Sequence, residues 1–123
     1  KYHVKIEQLK LDFLDEQNWP LLPLCDLIVS NPPYIGRDEI SKMDLSVLNY
    51  EPEIALFPVG EDPIIFYKKI AKYCKSIKRP FLVEINSLRA EEIESYLRIE
   101  GWNVEIGNDF EDRPRVVFGT LAT

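Results

Sequence analysis

The sequence predicts an α/β fold whose mainly parallel sheet ends in an antiparallel hairpin, and three observations predict it. Apolar runs of strand length without alternation, at 26–30 and 81–85, read as strands covered on both faces, as in a parallel sheet. Segments of helical period follow Asp62 and Ser87. The last two strand patterns, 102–106 and 115–121, are joined by the polar link GNDFEDRP, which is too short for a crossover helix and makes them antiparallel neighbours. The predicted order is β, β, α, β, α, β, β.

Taken in order, residues 4–11 alternate imperfectly, with Val4 and Ile6 followed by Leu9 and Leu11, and predict a strand with a slip in the middle. A polar link containing Trp19, Pro20 and Pro23 leads to the strand at 26–30. Residues 37–61 are the least regular, with a short helix suggested by Ile40, Met43, Val47 and Leu48. Asp62 and Pro63 then mark a helix start, because Asp caps the first free N–H groups and Pro suits the first turn. Phe66, Ile70, Cys74 and Ile77 follow at helical spacing and are expected inward. The basic run KSIKR suits the helix carboxyl end, and Pro80 stops it. The second helix, 87–100, is expected to face inward with Ile93, Tyr96 and Leu97 and to end at Gly101.

A chain of 123 residues with 46% hydrophobic side chains can bury one domain core. With 15 basic against 21 acidic side chains the net charge is -6, which gives no support to broad binding of a phosphate backbone. No stretch approaches the roughly 20 apolar residues that span a bilayer. The start, KYHVKIEQLK, is unlike a signal peptide, so the cytoplasm is the expected location. Cys25 and Cys74 are expected as free, buried thiols. His3 is the only histidine, so zinc ligation and His-dependent nucleophilic catalysis lack their usual residues, and no metal site is expected.

The strand at 26–30 runs into Ser30-Asn31-Pro32-Pro33-Tyr34. Proline at 32 pushes Asn31 out of the helical region and donates no N–H itself, so the turn is stiff and extended. The Asn31 side-chain oxygen and the Pro32 carbonyl can together accept both hydrogens of one NH2 group. Tyr34 offers a flat wall. Such a grip aims the nitrogen of an amide or exocyclic amine in one direction, which suits in-line attack on an electrophile. A proline-rich loop with Asn as a turn residue is the plain alternative. Its position at a strand end, where α/β sheets bind ligands, favours the chemical reading.

DLIVSNPPYI, YEPEIALF, EDPIIFYKKI, FLVEI and DRPRVVFG, in this order and spacing, resemble the HemK/PrmC family across essentially the whole chain. That family consists of S-adenosylmethionine-dependent enzymes that methylate the glutamine of the GGQ motif in bacterial class-1 release factors. NPPY alone is shared with methyltransferases acting on adenine N6 or cytosine N4; its combination with YEPEIAL is far more specific.

The resemblance implies that Asn31 and Pro32 are catalytic and grip the substrate amide, that Pro33 and Tyr34 line its slot, and that Glu51 flanks it. It implies cofactor contacts at Asp12, Phe13 and Asn31, with the acid accepting from the adenine amino group and the ring packing on its face. A strand-end turn with a core aromatic is the alternative for Asp12 and Phe13, and a surface residue is the alternative for Glu51. Arg115 and Gly119 match the closing strand as structure. Asn86 stands where the family often has glycine, and Pro58-Val59-Gly60 lies where it often has Gly-Gly.

Nothing in the sequence matches the family's glycine-rich cofactor loop or its ribose-binding acid. The expectation is therefore the carboxy-terminal part of a catalytic domain, without the helical amino-terminal domain and inactive alone. Its fold is a partial class I, Rossmann-like methyltransferase sheet lacking the first two strands of the order 3-2-1-4-5-7-6. The segment 4–11, strand 3 of that order, would lose its neighbour. It is expected to be poorly ordered, re-paired against 26–30, or exchanged between chains in self-association. Release factors are the expected partners, with no membrane and no nucleic acid. A nucleic-acid methyltransferase and a non-catalytic scaffold are the two rivals.

Overall fold

The computed structural model describes residues 3–33 and 62–121. A 3-10 helix, Glu16–Leu21, precedes the short strand β1, Ile28–Ser30. Helix α1, Ile65–Ile77, leads to β2, Phe81–Glu84. A 3-10 turn at Ser87–Arg89 opens helix α2, Ala90–Ile99. The hairpin is β3, Trp102–Asn108, with β4, Pro114–Leu121. The sheet order is β1-β2-β4-β3. β1 and β2 are parallel, and β4 inserts antiparallel to both β2 and β3.

Both helices start and stop for local reasons. The Asp62 carboxylate accepts from the Ile64 N–H at 3.0 Å and holds Lys68 at 2.7 Å. Burial opposes ionisation of Asp62, but these two partners outweigh it and keep its pKa below the usual value. α1 ends on Lys78 at φ 57, a left-handed cap whose N–H returns to the Cys74 and Lys75 carbonyls. At Asn86 the side chain accepts from Leu88 N–H, which starts the 3-10 turn. The hairpin loop is built on Asp109, whose carboxylate accepts from the N–H groups of Glu111 and Arg113 and lies 3.4 Å from Arg115 Nε.

The core lies between one sheet face and the two helices. Phe81, Val83 and Ile85 meet Tyr67, Ala71, Cys74, Ile93 and Leu97, all buried. Trp102 stands edge-on to Phe81 at 4.7 Å between centroids. Gly119 pairs with Phe81 across β2 and β4, and the Phe81 ring occupies the space a side chain there would fill. Arg115 contributes its carbonyl to the Ile85 N–H, at 2.8 Å. Gly119 and Arg115 therefore act as structure.

Several expectations need correction. Residues 4–11 form no strand, and Val4 and Ile6 are 73% and 79% exposed. A strand needs a neighbour for its N–H and C=O groups, and no described residues supply one. Re-pairing against 26–30 does not occur among the described residues, since β1 pairs only with β2. β1 is not covered on both faces either. Val29, on the face it shares with Leu82 and Phe118, is 67% exposed, because no described element packs there.

The inward face of α1 is rotated from the expected stripe. Tyr67, Ile70, Ala71, Tyr73 and Cys74 are buried, while Phe66 and Ile77 are half-buried. On α2, Ala90 joins Ile93 and Leu97, and Tyr96 stays half-buried beneath Lys68, whose Nζ lies 5.3 Å from the ring centre. Cys25 and Cys74 are both free, but only Cys74 is buried.

Candidate active-site cleft

Backbone pairing fixes the end of β1. Ile28 N–H donates to the Pro80 carbonyl at 3.1 Å, and the strand then runs parallel to β2 in register Ile28 with Phe81. Asn31-Pro32-Pro33 follows directly, at the carboxyl end of the strand. Pro32 is buried and anchors the bend, whereas Asn31 is exposed. Among the described residues no hydrogen bond engages the Asn31 side chain. Its amide is therefore available to a ligand.

A second wall comes from residues 13–25. Asp15 caps the 3-10 helix by accepting from Gln17 N–H. Trp19 Nε1 donates to the Phe13 carbonyl at 2.8 Å, and both rings pack on Tyr73 of α1, Phe13 at 5.7 Å and Trp19 at 5.3 Å. Arg79 Nε holds the Cys25 carbonyl at 3.0 Å.

Between these walls and α1 lies a cleft of about 490 Å³, lined by Phe13, Cys25, Asn31, Pro32, Pro33 and residues of α1. The structure thus brings Phe13 to the same cleft as Asn31 and the two prolines. Asp12 does not line it: the Asp12 side chain is exposed and accepts from Leu14 N–H at 3.0 Å. Tyr34 and Glu51 lie outside the described residues.

Phe66, Ile70 and Tyr73 also face this cleft. Of these, Tyr73 escaped the reading of the sequence, although its spacing of seven from Phe66 places it on the same helical stripe. Burial raises the Tyr73 pKa, so the phenol is neutral at physiological pH. None of the described residues lining the cleft carries a charge. Apolar walls and one exposed amide are suited to a flat ligand bearing an NH2 group, and the described lining offers no strong general base.

The thiols differ sharply. Burial pushes the Cys74 pKa up to about 12, whereas Cys25 is half-buried on the cleft. Under native conditions a thiol reagent at mildly alkaline pH should label Cys25 alone, with Cys74 reacting only on unfolding. Mass mapping that finds both labelled at equal rates would contradict the burial of Cys74.

No family model matches the chain. The release factor glutamine methyltransferase of Clostridium acetobutylicum is 43% identical over 96 residues, covering 75% of this chain and 33% of the relative. That of Bacteroides thetaiotaomicron is 34% identical over 96 residues, with 75% and 34% covered. The bifunctional methyltransferase of Rickettsia typhi is 40% identical over 96 residues, with 75% and 18% covered. The chain therefore spans about a third of the length of the release factor methyltransferases it matches.

The relatives it matches are named methyltransferases, and a mixed sheet with a cleft at a strand's carboxyl end fits that kinship. Within them it is kin to the release factor glutamine methyltransferases, the HemK/PrmC family that its motifs resemble.

Proposed function

We propose that residues 1–123 form part of the catalytic domain of a class I methyltransferase, which moves a methyl group from S-adenosylmethionine to the glutamine side-chain nitrogen of a release factor's GGQ motif. The observation that carries this reading is the exposed, unengaged Asn31 amide on an apolar cleft that Phe13 also lines. The strand order β1-β2-β4-β3 supports it, because it corresponds to the 4-5-7-6 half of the Rossmann-like sheet. The relatives' names supply the substrate.

S-adenosylmethionine, when bound, supplies an electrophilic methyl carbon on a sulfonium. The apolar walls beside Phe13 fit the flat adenine end; the carboxylate of Asp12 is exposed, turned to Leu14 N–H and off the cleft lining, and would have to reorient to meet the adenine amino group. The described residues offer no comparable grip for the sugar or amino-acid ends. Asn31 Oδ1 and the Pro32 carbonyl accept the two amide hydrogens of the substrate glutamine and hold its nitrogen toward the methyl carbon. With the cofactor held there, this orientation would present the amide nitrogen to its methyl group, and the proton displaced from nitrogen would pass to solvent at the mouth of the cleft. Fixing the angle is the protein's contribution, since the described lining carries no charged group.

Methyl-labelled S-adenosylmethionine, offered with the full-length protein to release factor, DNA and RNA, tests the reading. Label is expected on the GGQ glutamine of the release factor, located by peptide mass. Transfer to a base amine would instead favour a nucleic-acid enzyme, against which the net charge of -6 already argues. Absence of cofactor binding in calorimetry would leave only a scaffold.

A further inference from the structure

Residues 12–22 keep a defined seat although the segment before them forms no strand. Something other than sheet pairing must therefore hold Phe13 at the cleft. Part of the answer is local: Asn18 Nδ2 and Trp19 Nε1 donate to the carbonyls of Asp12 and Phe13. These bonds shape the segment but do not fix it to the rest of the molecule. Beyond the apolar packing of Phe13, Trp19 and Leu22, the polar tie to α1 among the described residues is Glu16. Its carboxylate lies 2.5 Å from Lys69 Nζ and 2.7 Å from Lys72 Nζ. The two lysines stand one turn apart on α1, so a single carboxylate bridges both.

We propose that Glu16, gripping Lys69 and Lys72, is a positioning residue that sets the adenine-binding end of the cleft by locking residues 12–19 onto α1. This rests on the methyltransferase reading above. An isolated surface ion pair is worth little, but this one is a three-charge network whose Lys69 member is only 25% exposed, and it locks a segment that no strand restrains. Both lysines depress the Glu16 pKa, Lys69 first, so the clamp is ionised across the physiological range. The ends it joins are 53 residues apart in sequence, and each belongs to a segment that also supplies cleft-lining residues, Phe13 on one and Tyr73 on the other. Neutralising Glu16 should loosen Phe13 and Asp12 together and leave the Asn31 side untouched.

The test uses the full-length protein and two variants: Glu16→Gln, and the charge-inverted set Glu16→Lys with Lys69→Glu and Lys72→Glu. Calorimetry with S-adenosylhomocysteine should show roughly fivefold weaker binding for Glu16→Gln, the size of one well-placed ion pair. KM for S-adenosylmethionine should rise alongside, with kcat and the release-factor KM unchanged. Amide hydrogen exchange should increase at residues 13–19 and not in β2 or β4. The inverted set should recover affinity and protection. Wild-type affinity in Glu16→Gln, with its exchange unchanged, overturns the clamp. If the wild type itself binds no S-adenosylhomocysteine, the methyltransferase reading fails and the cofactor role of Glu16 falls with it, a result distinct from the first.

Discussion

Gly119→Ala should destabilise the protein by about 3 kcal/mol, at the upper end of what overpacking usually costs. A methyl group at this position would sit 2.4 Å from Cζ and 2.6 Å from Cε2 of Phe81, well inside van der Waals contact. Relief requires the Phe81 ring to move, and it has nowhere to go. The ring is 1% exposed, lies edge-on to Trp102 and belongs to the central strand of the core. Backbone strain is not the issue, because Gly119 sits in ordinary strand geometry within β4. Urea unfolding should give a lower midpoint with an unchanged slope, and Tm should fall by roughly 4 °C per kcal/mol. Phe81→Leu alone should also destabilise, by leaving a cavity, yet the double variant should lose much less than the sum of the two. An unchanged midpoint for Gly119→Ala would mean that Phe81 does not pack as described.

What the sequence disclosed follows from how local each signal is. β2, α2 and the β3–β4 hairpin were legible because pattern, caps and a short link lie within a few residues of one another. Asp62 announced the approach to α1 but not its cap: its carboxylate accepts from Ile64 N–H in the turn before the helix, and the N-cap position, Ile64, has no side-chain cap. The segment 4–11 misled because alternation shows a capacity to pair, while pairing depends on a neighbour elsewhere in the chain. Val29 misled likewise: an apolar run announces two covered faces, and whether something covers them is a non-local fact.

At the cleft, Asn31 was found through its neighbours, since only a polar amide before two prolines at a strand end makes that pattern. The junction of Phe13 with Asn31 across the cleft was an expectation of resemblance, and here it has a physical cause in Tyr73 and Trp19. The Glu16 clamp carried no sequence signal. Its partners look like ordinary exposed lysines until α1 is folded against residues 16–21.

Asn31→Ala should abolish methyl transfer, lowering kcat/KM by about a hundredfold or more, while leaving the fold intact. The size follows from geometry. With one of two acceptors gone, the substrate nitrogen is tethered by a single hydrogen bond and can swing away from the line of attack. Stability should move by no more than about 0.5 kcal/mol, because the side chain is exposed and engages no described partner. Cofactor affinity should change little if Phe13 and its surroundings carry most of the contact.

Asn31→Asp sharpens the test. It keeps the acceptor and the turn preference, but it sets a negative charge on a cleft whose described lining is neutral. Partial activity is expected, rising as the pH drops toward the carboxyl pKa, where the neutral acid keeps its carbonyl acceptor and loses the charge. A mere turn residue would tolerate both changes equally. Near-normal turnover in Asn31→Ala, measured on a folded and cofactor-binding protein, would remove the orientation role from Asn31 and with it the chemistry assigned to this cleft.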